Sequence, residues 1–386
     1  MIAETLGPTS MSQPGTTVGL GCQDCELLEL CGGVFSDPDC MGACHECDPA
    51  DCTMACPRSS NWVAVMRDAG GFAVKGRWKI NQAQASLPLY IPHIANGSGR
   101  SECLAVPFSA VTTFDVVRDL SRGLVSNADE LRQRFRLHDS SEVISLSIEK
   151  DGHLERFWQH FRERDYAARL STLGIRHITA PNFSFALNAP RPEHMVNRAR
   201  SLRCAEQLSM AGLSVIIHLN AYNQTDWDFW CSFLKEHVGI GTVSLEFQTG
   251  LARVRKATWH VSQLRQLQQS IGRALHVIAI GGRRHLPLLV DFSGLTVIDS
   301  VPFIRTTKRR KFELANGRWG FAKTVRWQSL HGLLQHNVTA YSELVRISLE
   351  RLRLPRESVS RIPPAVYARD SRQLELWSED CLSRPA

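Results

Sequence analysis

From about residue 87 the chain alternates short apolar runs rich in Val and Ile with longer stretches in which apolar residues recur every three or four positions. The first kind reads as a strand buried on both faces and the second as a helix laid over it; their alternation marks βαβ units around a parallel sheet. The predicted strands are Leu87–Ile94, Cys103–Val111, Glu142–Lys150, Arg176–Phe183, Leu213–Asn220, Thr242–Gln248, Leu275–Ile280 and Leu295–Val301. Predicted helices are Leu154–Leu173, Pro192–Ala211, Thr225–Val238 and Thr258–Ala274, with a closing helix over Leu330–Leu352. Pro192 stands where a helix opens, and Gly174, Gly212 and Gly239 stand where helices stop. Eight strands with intervening helices predict an α/β fold of the (β/α)8 TIM-like barrel class, whose chemistry sits at the C-terminal strand ends.

Composition bounds the rest. A chain of 386 residues suits one barrel of about 250 residues plus an appendage. With 43% apolar and 22% charged residues it has a globular balance, and no run of about 18 apolar residues offers a membrane span. The start, MIAETLGPTSMSQPGTT, lacks a basic segment followed by an apolar one, so a cytoplasmic protein with no membrane partner is expected. The predicted division is a disordered N-terminus over 1–20, a Cys-rich metal-binding module over 21–58, the barrel over 59–353 and a tail over 354–386.

The module rests on cysteine arithmetic. Of 12 cysteines, eight fall close together: Cys22, Cys25, Cys31, Cys40, Cys44, Cys47, Cys52 and Cys56. In a reducing compartment such density implies metal thiolates, and eight is the number for two four-cysteine sites. Zinc and iron–sulfur clusters both fit sulfur donors, so the metal stays open. Gly32-Gly33, Asp37-Pro38 and Asp48-Pro49 break the segment into turns, as in a small knot folded around metal. The stretch Cys40-Met-Gly-Ala-Cys44-His-Glu-Cys47 has the C-x3-C-x2-C spacing of a radical S-adenosylmethionine enzyme, a rival reading of the chemistry. Against it, Phe35-Ser-Asp-Pro-Asp39 before the motif is turn-like rather than a buried first strand. A third reading is a zinc-dependent nucleic-acid binder with an inert barrel.

The net charge of +7 is compatible with a polyanionic partner, and its densest run is Arg305-Thr-Thr-Lys308-Arg309-Arg310-Lys311. Taken alone it reads as a solvated basic loop or a phosphate-binding rim. Neither a G-x-G-x-x-G after a strand nor a P-loop is present, so no nucleotide cofactor is expected. The strand ends carry Asn182, Asn220, Gln248, Gly281-Gly282 and Asp299. Amides, glycines and an acid at successive ends could hydrogen-bond the edge of a flat heterocycle, with glycine letting the ring approach the backbone.

The segment HVIAIGGRRHLPLLVDFSGLTVIDSVPFIRTTKRRKF resembles the tRNA-guanine transglycosylase superfamily, both in the order of its elements and in Gly294-Leu-Thr-Val-Ile-Asp299-Ser-Val301. The resemblance covers about residues 176–340 and makes Asp299 the expected nucleophile, with Arg305 at the place of the family's arginine. Phe247-Gln-Thr-Gly250-Leu251 is similar to the family's base-facing glycine-leucine element, and Asp68-Ala-Gly-Gly-Phe72 to the element bearing its second acid. His336-Asn337 stands at the family's His-Asn pair. Implied is replacement of guanine by a 7-deazaguanine base in DNA or tRNA, through a covalent glycosyl-enzyme, with Arg305, Lys308, Arg309, Arg310 and Lys311 on backbone phosphates. The family's C-x-C-x2-C…His zinc site after the nucleophile has no counterpart, since only Cys381 lies beyond Asp299. That loss points toward the branch acting on phage or bacterial DNA, where accessory modification proteins are further expected partners.

Overall fold

Each of the eight apolar runs forms a strand of one closed, wholly parallel barrel in a computed structural model of the chain. Described are residues 78–83, 86–94, 105–149, 151–185, 191–249, 251–315, 318–324 and 329–354. The eight clustered cysteines, Asp68 and Gly250 lie outside the described residues, as do the expected metal module and both termini.

The strands are β1 (Tyr90–Ile94), β2 (Phe108–Thr112), β3 (Glu142–Leu146), β4 (Ile175–Thr179), β5 (Ser214–His218), β6 (Thr242–Glu246), β7 (His276–Ile280) and β8 (Gly294–Asp299). β8 closes on β1 with Tyr90 opposite Val297 and Pro92 opposite Asp299. Alternation along each strand divides the apolar residues in two. Ile91, Ala110, Ile144, Ile216, Ile278 and Ile298 belong to a small cluster filling the lumen. Their neighbours Tyr90, Val111, Val143, Val215, Val277 and Val297 pack outward under the helices. Burial on both faces is why Val and Ile recur on both sides of these strands rather than on one.

Over the wall lie α1 (Thr113–Ser121), α2 (Ala128–Phe135), α3 (Asp151–Phe161), α4 (Tyr166–Ser171), α5 (Arg191–Met210), α6 (Gln224–Glu236) and α7 (Val254–Ile271). After β7 come a 3-10 turn (Gly282–His285) and α8 (Leu286–Leu289); after β8, α9 (Val301–Thr307), a hairpin of β9 (Arg310–Ala315) and β10 (Arg318–Lys323), and α10 (Leu330–Arg353). The single helix expected over Leu154–Leu173 is two, α3 and α4, because the chain turns at Asp165, which has φ of 47°. α1 and α2 fall in a connection with no predicted helix; α2 buries only Leu131 and Phe135 among polar residues, too few to show a period. α6 opens on a reciprocal cap between Asn223 and Asp226. Asp226 also pairs with Arg198 of α5 at 2.7 Å, both side chains fully buried. No helix among the described residues is long and apolar enough to cross a membrane.

The N-terminal end of the barrel is bound together by Gln82. Its Oε1 accepts from the backbone N–H of Gly241 and Thr242 at 2.8 and 2.7 Å, and its Nε2 donates to the carbonyls of Val215 and Thr242. One amide thus joins the starts of β5 and β6, leaving the opposite mouth for chemistry.

Candidate functional site

At the C-terminal end of β8 the two-residue period decides where Asp299 points. Ile298 faces the lumen, so Asp299 faces out, on the side of Leu295 and Val297 and into the seam between β8 and β1. It is 7% exposed. One carboxylate oxygen, Oδ1, accepts from the backbone N–H of Val301 at 2.8 Å. The other, Oδ2, accepts from the Tyr341 hydroxyl of α10 at 2.9 Å. The Tyr90 hydroxyl of β1 donates to the Asp299 carbonyl at 3.3 Å.

Tyr341 is itself confined. Its ring lies 5.5 Å from that of Tyr90 and 5.4 Å from that of Phe312 in β9. The Arg283 guanidinium, supplied by the turn after β7, sits 5.3 Å from the ring and hydrogen-bonds its hydroxyl. The resulting hydrogen-bond chain runs from Arg283 through the Tyr341 hydroxyl to the accepting Asp299 carboxylate. Burial raises the Asp299 carboxyl above the ordinary aspartate range, while the Val301 N–H, the Tyr341 hydroxyl and the charges of Arg283 and Arg284 pull it back. Burial and the neighbouring carboxylate together drive the Tyr341 hydroxyl up, so it remains a proton donor.

The lumen side is polar in another way. His93, His177, His218 and His276 each meet a hydroxyl on the next strand: Thr112 at 3.0 Å, Ser214 at 2.9 Å, Ser244 at 3.0 Å and Thr296 at 2.8 Å. Burial pushes His93, His177 and His218 down to about 4. These rings are therefore neutral at pH 7 and act as hydrogen-bonding struts. Higher in the lumen, Glu246 ends β6 with its carboxyl raised by burial, accepting from the Gln248 and Thr249 N–H groups and from the Thr249 hydroxyl at 2.8 Å.

Of the strand-end amides, two are occupied by the fold. Asn182 accepts from the Glu149 N–H at 3.3 Å. The Asn220 side-chain amide donates to the Phe183 carbonyl at 2.9 Å, so it ties the end of β5 to the loop after β4, while the Asn220 backbone carbonyl accepts from the Trp230 indole of α6 at 2.8 Å. Gln248 is exposed at the mouth. It lies against Gly281, where a Cβ would come 2.2 Å from Gln248 Cγ and where φ is +69°, so glycine is required twice over. Gly282 is pressed on Ala279, and Leu251 packs at the edge of the outer core.

The basic run is an ordered helix–turn–strand rather than a loop. Arg305 belongs to α9, 5.5 Å from the Phe321 ring; Lys308 caps that helix, Arg309 takes φ of 50°, and Arg310 and Lys311 open β9. Asn337 fastens this turn, donating to the Arg310 carbonyl at 2.8 Å and the Thr306 hydroxyl at 2.9 Å, while accepting from the Phe312 N–H at 2.6 Å. His336 meets the Phe312 carbonyl at 2.7 Å. The His-Asn pair thereby holds the hairpin against α10, where Phe312 meets the Tyr341 ring.

Tyr341, Arg283 and Tyr90 are not among the residues expected from the sequence. Tyr341 carries a faint signal, lying one helical turn after Asn337 on the buried face of α10, but nothing in the letters joins it to Asp299. No protein-family model matches the chain, and no curated protein matches it.

Proposed function

We propose that the chain is a base-exchange enzyme acting on nucleic acid, with Asp299 as its nucleophile. The observation that carries this reading is the Asp299 carboxyl at the end of β8, both oxygens fixed by donors, with two arginines near enough to favour its charge. An Asp299 oxygen bonds to C1′ of the target nucleotide as the C1′–N9 bond breaks, and the bonding pair leaves with guanine, which takes a proton from a second acid. A 7-deazaguanine base then gives its N9 proton to that acid and attacks C1′, displacing the carboxylate and restoring the enzyme. Asp68 is the proposed second acid.

In this reading Gln248, Gly281, Gly282, Gly250 and Leu251 would hold the heterocycle, while Asn182 and Asn220, engaged with Glu149 and Phe183, would brace the loops around it. Arg305, Lys308, Arg309, Arg310 and Lys311 would take the backbone phosphates of a strand whose target base is flipped out. The proposed target strand is DNA, with tRNA as the alternative. Cys22, Cys25, Cys31, Cys40, Cys44, Cys47, Cys52 and Cys56 suit two four-cysteine zinc sites or iron–sulfur clusters, since both use thiolates.

A second reading follows from the outward aim and 7% exposure of Asp299: the carboxylate clasps α10 to the barrel, and the protein binds nucleic acid without exchanging a base. Mass spectrometry of nucleosides from DNA and tRNA separates the two. Cells with the wild-type gene should contain a deazapurine nucleoside that is missing with Asp299→Asn; the same nucleoside in the variant, or none in the wild type, refutes base exchange.

A further inference from the structure

We infer that Tyr341, itself held by Arg283, is the positioning residue of the Asp299 carboxylate, an inference that rests on the reading of Asp299 as nucleophile. The Tyr341 hydroxyl is the only side-chain donor in hydrogen-bond contact with that carboxylate among the described residues, at 2.9 Å from Oδ2. The Val301 N–H holds Oδ1 from within the same turn, so it fixes one oxygen but leaves the group free to swing about it. Tyr341 removes that freedom from outside the strand.

The geometry suits attack by one oxygen while the other stays bound. A carboxylate that forms a bond to carbon loses its charge, and a neutral hydroxyl donor on the far oxygen tolerates both states. Arg283 placed directly on the carboxylate would hold its charge back more strongly. With Tyr341 between them, the cation orients the hydroxyl, whose acceptor in this arrangement is Asp299. Tyr90 and Phe312 box the phenol ring, so the oxygen cannot drift.

The charged or titratable groups that face Asp299 are Arg283 and Arg284 from the turn after β7, Tyr90 from β1 and Tyr341 from α10. Of the two tyrosines, Tyr90 donates to the Asp299 backbone carbonyl and Tyr341 to the carboxylate, so Tyr341→Phe removes the carboxylate's hydroxyl donor and keeps the ring that packs against Tyr90 and Phe312. A purely structural tyrosine and a positioning tyrosine therefore differ in what Tyr341→Phe does to the acid.

The test uses the full-length protein with aspartate labelled at the carboxyl carbon. The Asp299 signal is assigned by its loss in Asp299→Asn, and its titration is followed by NMR in wild type and in Tyr341→Phe, beside the pH profile of base exchange. Loss of a hydrogen bond to a charged group should lower kcat by about tenfold to a hundredfold. The Asp299 midpoint and the acid limb of kcat/KM should move together to higher pH by about one unit, with KM for the free base unchanged. An unmoved midpoint and acid limb, with Asp299→Asn inactive, overturns the positioning role and leaves base exchange standing. Exchange retained by Asp299→Asn overturns both.

Discussion

The barrel wall is polar on both of its sides, but by opposite means. Toward the lumen, histidines face hydroxyls on neighbouring strands, and burial keeps the rings neutral. Toward the β8–β1 seam a carboxyl is buried among donors and near arginines, which compensate part of the cost of its charge. The first arrangement needs no counter-ion and suits a rigid core. The second retains a group that can change charge, which is what a reacting acid requires. The same two-residue alternation that separates lumen from seam separates the histidine struts from Asp299, with Glu246 the raised carboxyl on the lumen side.

If that division holds, substitutions on the two sides should fail differently. The largest effect belongs to the seam: Asp299→Asn should lower base exchange by about a thousandfold or more while the melting temperature stays within a few degrees, as read by exchange assay and calorimetry. A large fall in melting temperature would instead make Asp299 a clasp. On the lumen side, His218→Ala should cost about 3 kcal/mol in denaturant unfolding, because it opens a cavity and leaves the Ser244 hydroxyl without its ring partner.

The two sides also carry opposite pH slopes. For His93, His177 and His218 the folded pKa, about 4, lies below the unfolded 6.5. As pH falls through that window the unfolded chain binds protons the barrel refuses, and stability drops by at most about 1.4 kcal/mol per pH unit for each ring. Asp299 has the reverse sign, since its raised carboxyl takes up a proton in the folded state before the unfolded one does. Unfolding measured from pH 7 to pH 4 should therefore show a net loss of stability that is steeper in Asp299→Asn than in wild type; a shallower slope in the variant would contradict the assignment. The smallest effect is expected outside the wall: Lys308→Ala, at a helix cap, should leave stability unchanged and reduce the salt dependence of DNA binding by about one released counterion.

Much of the barrel was legible in the letters because its strands are buried on both faces, which puts consecutive apolar residues such as Val215, Ile216 and Ile217 at the centre of a short run. The β9–β10 hairpin was not, since only Phe312 is buried among the six residues of β9 and its charges mask the period. Asp299 stood out by its place at a strand end and by the motif around it. Its partners did not: Tyr341 lies 42 residues further on, and Arg283 belongs to another βα loop. Asn220 and Gln248 read alike as strand-end amides, yet the first donates to the Phe183 carbonyl while the second is exposed.

What the sequence determined by itself is periodic or local: the eight strands, most of the helices over them, the acid at the end of the last strand and the cysteine density near the start. What tertiary structure decided is which side of the wall each polar residue occupies and what it meets there. A period of two sorts residues into two faces without saying which is the lumen. Closure of β8 on β1 sends Asp299 outward to Tyr341 and Arg283, and the inter-strand register brings His218 to Ser244.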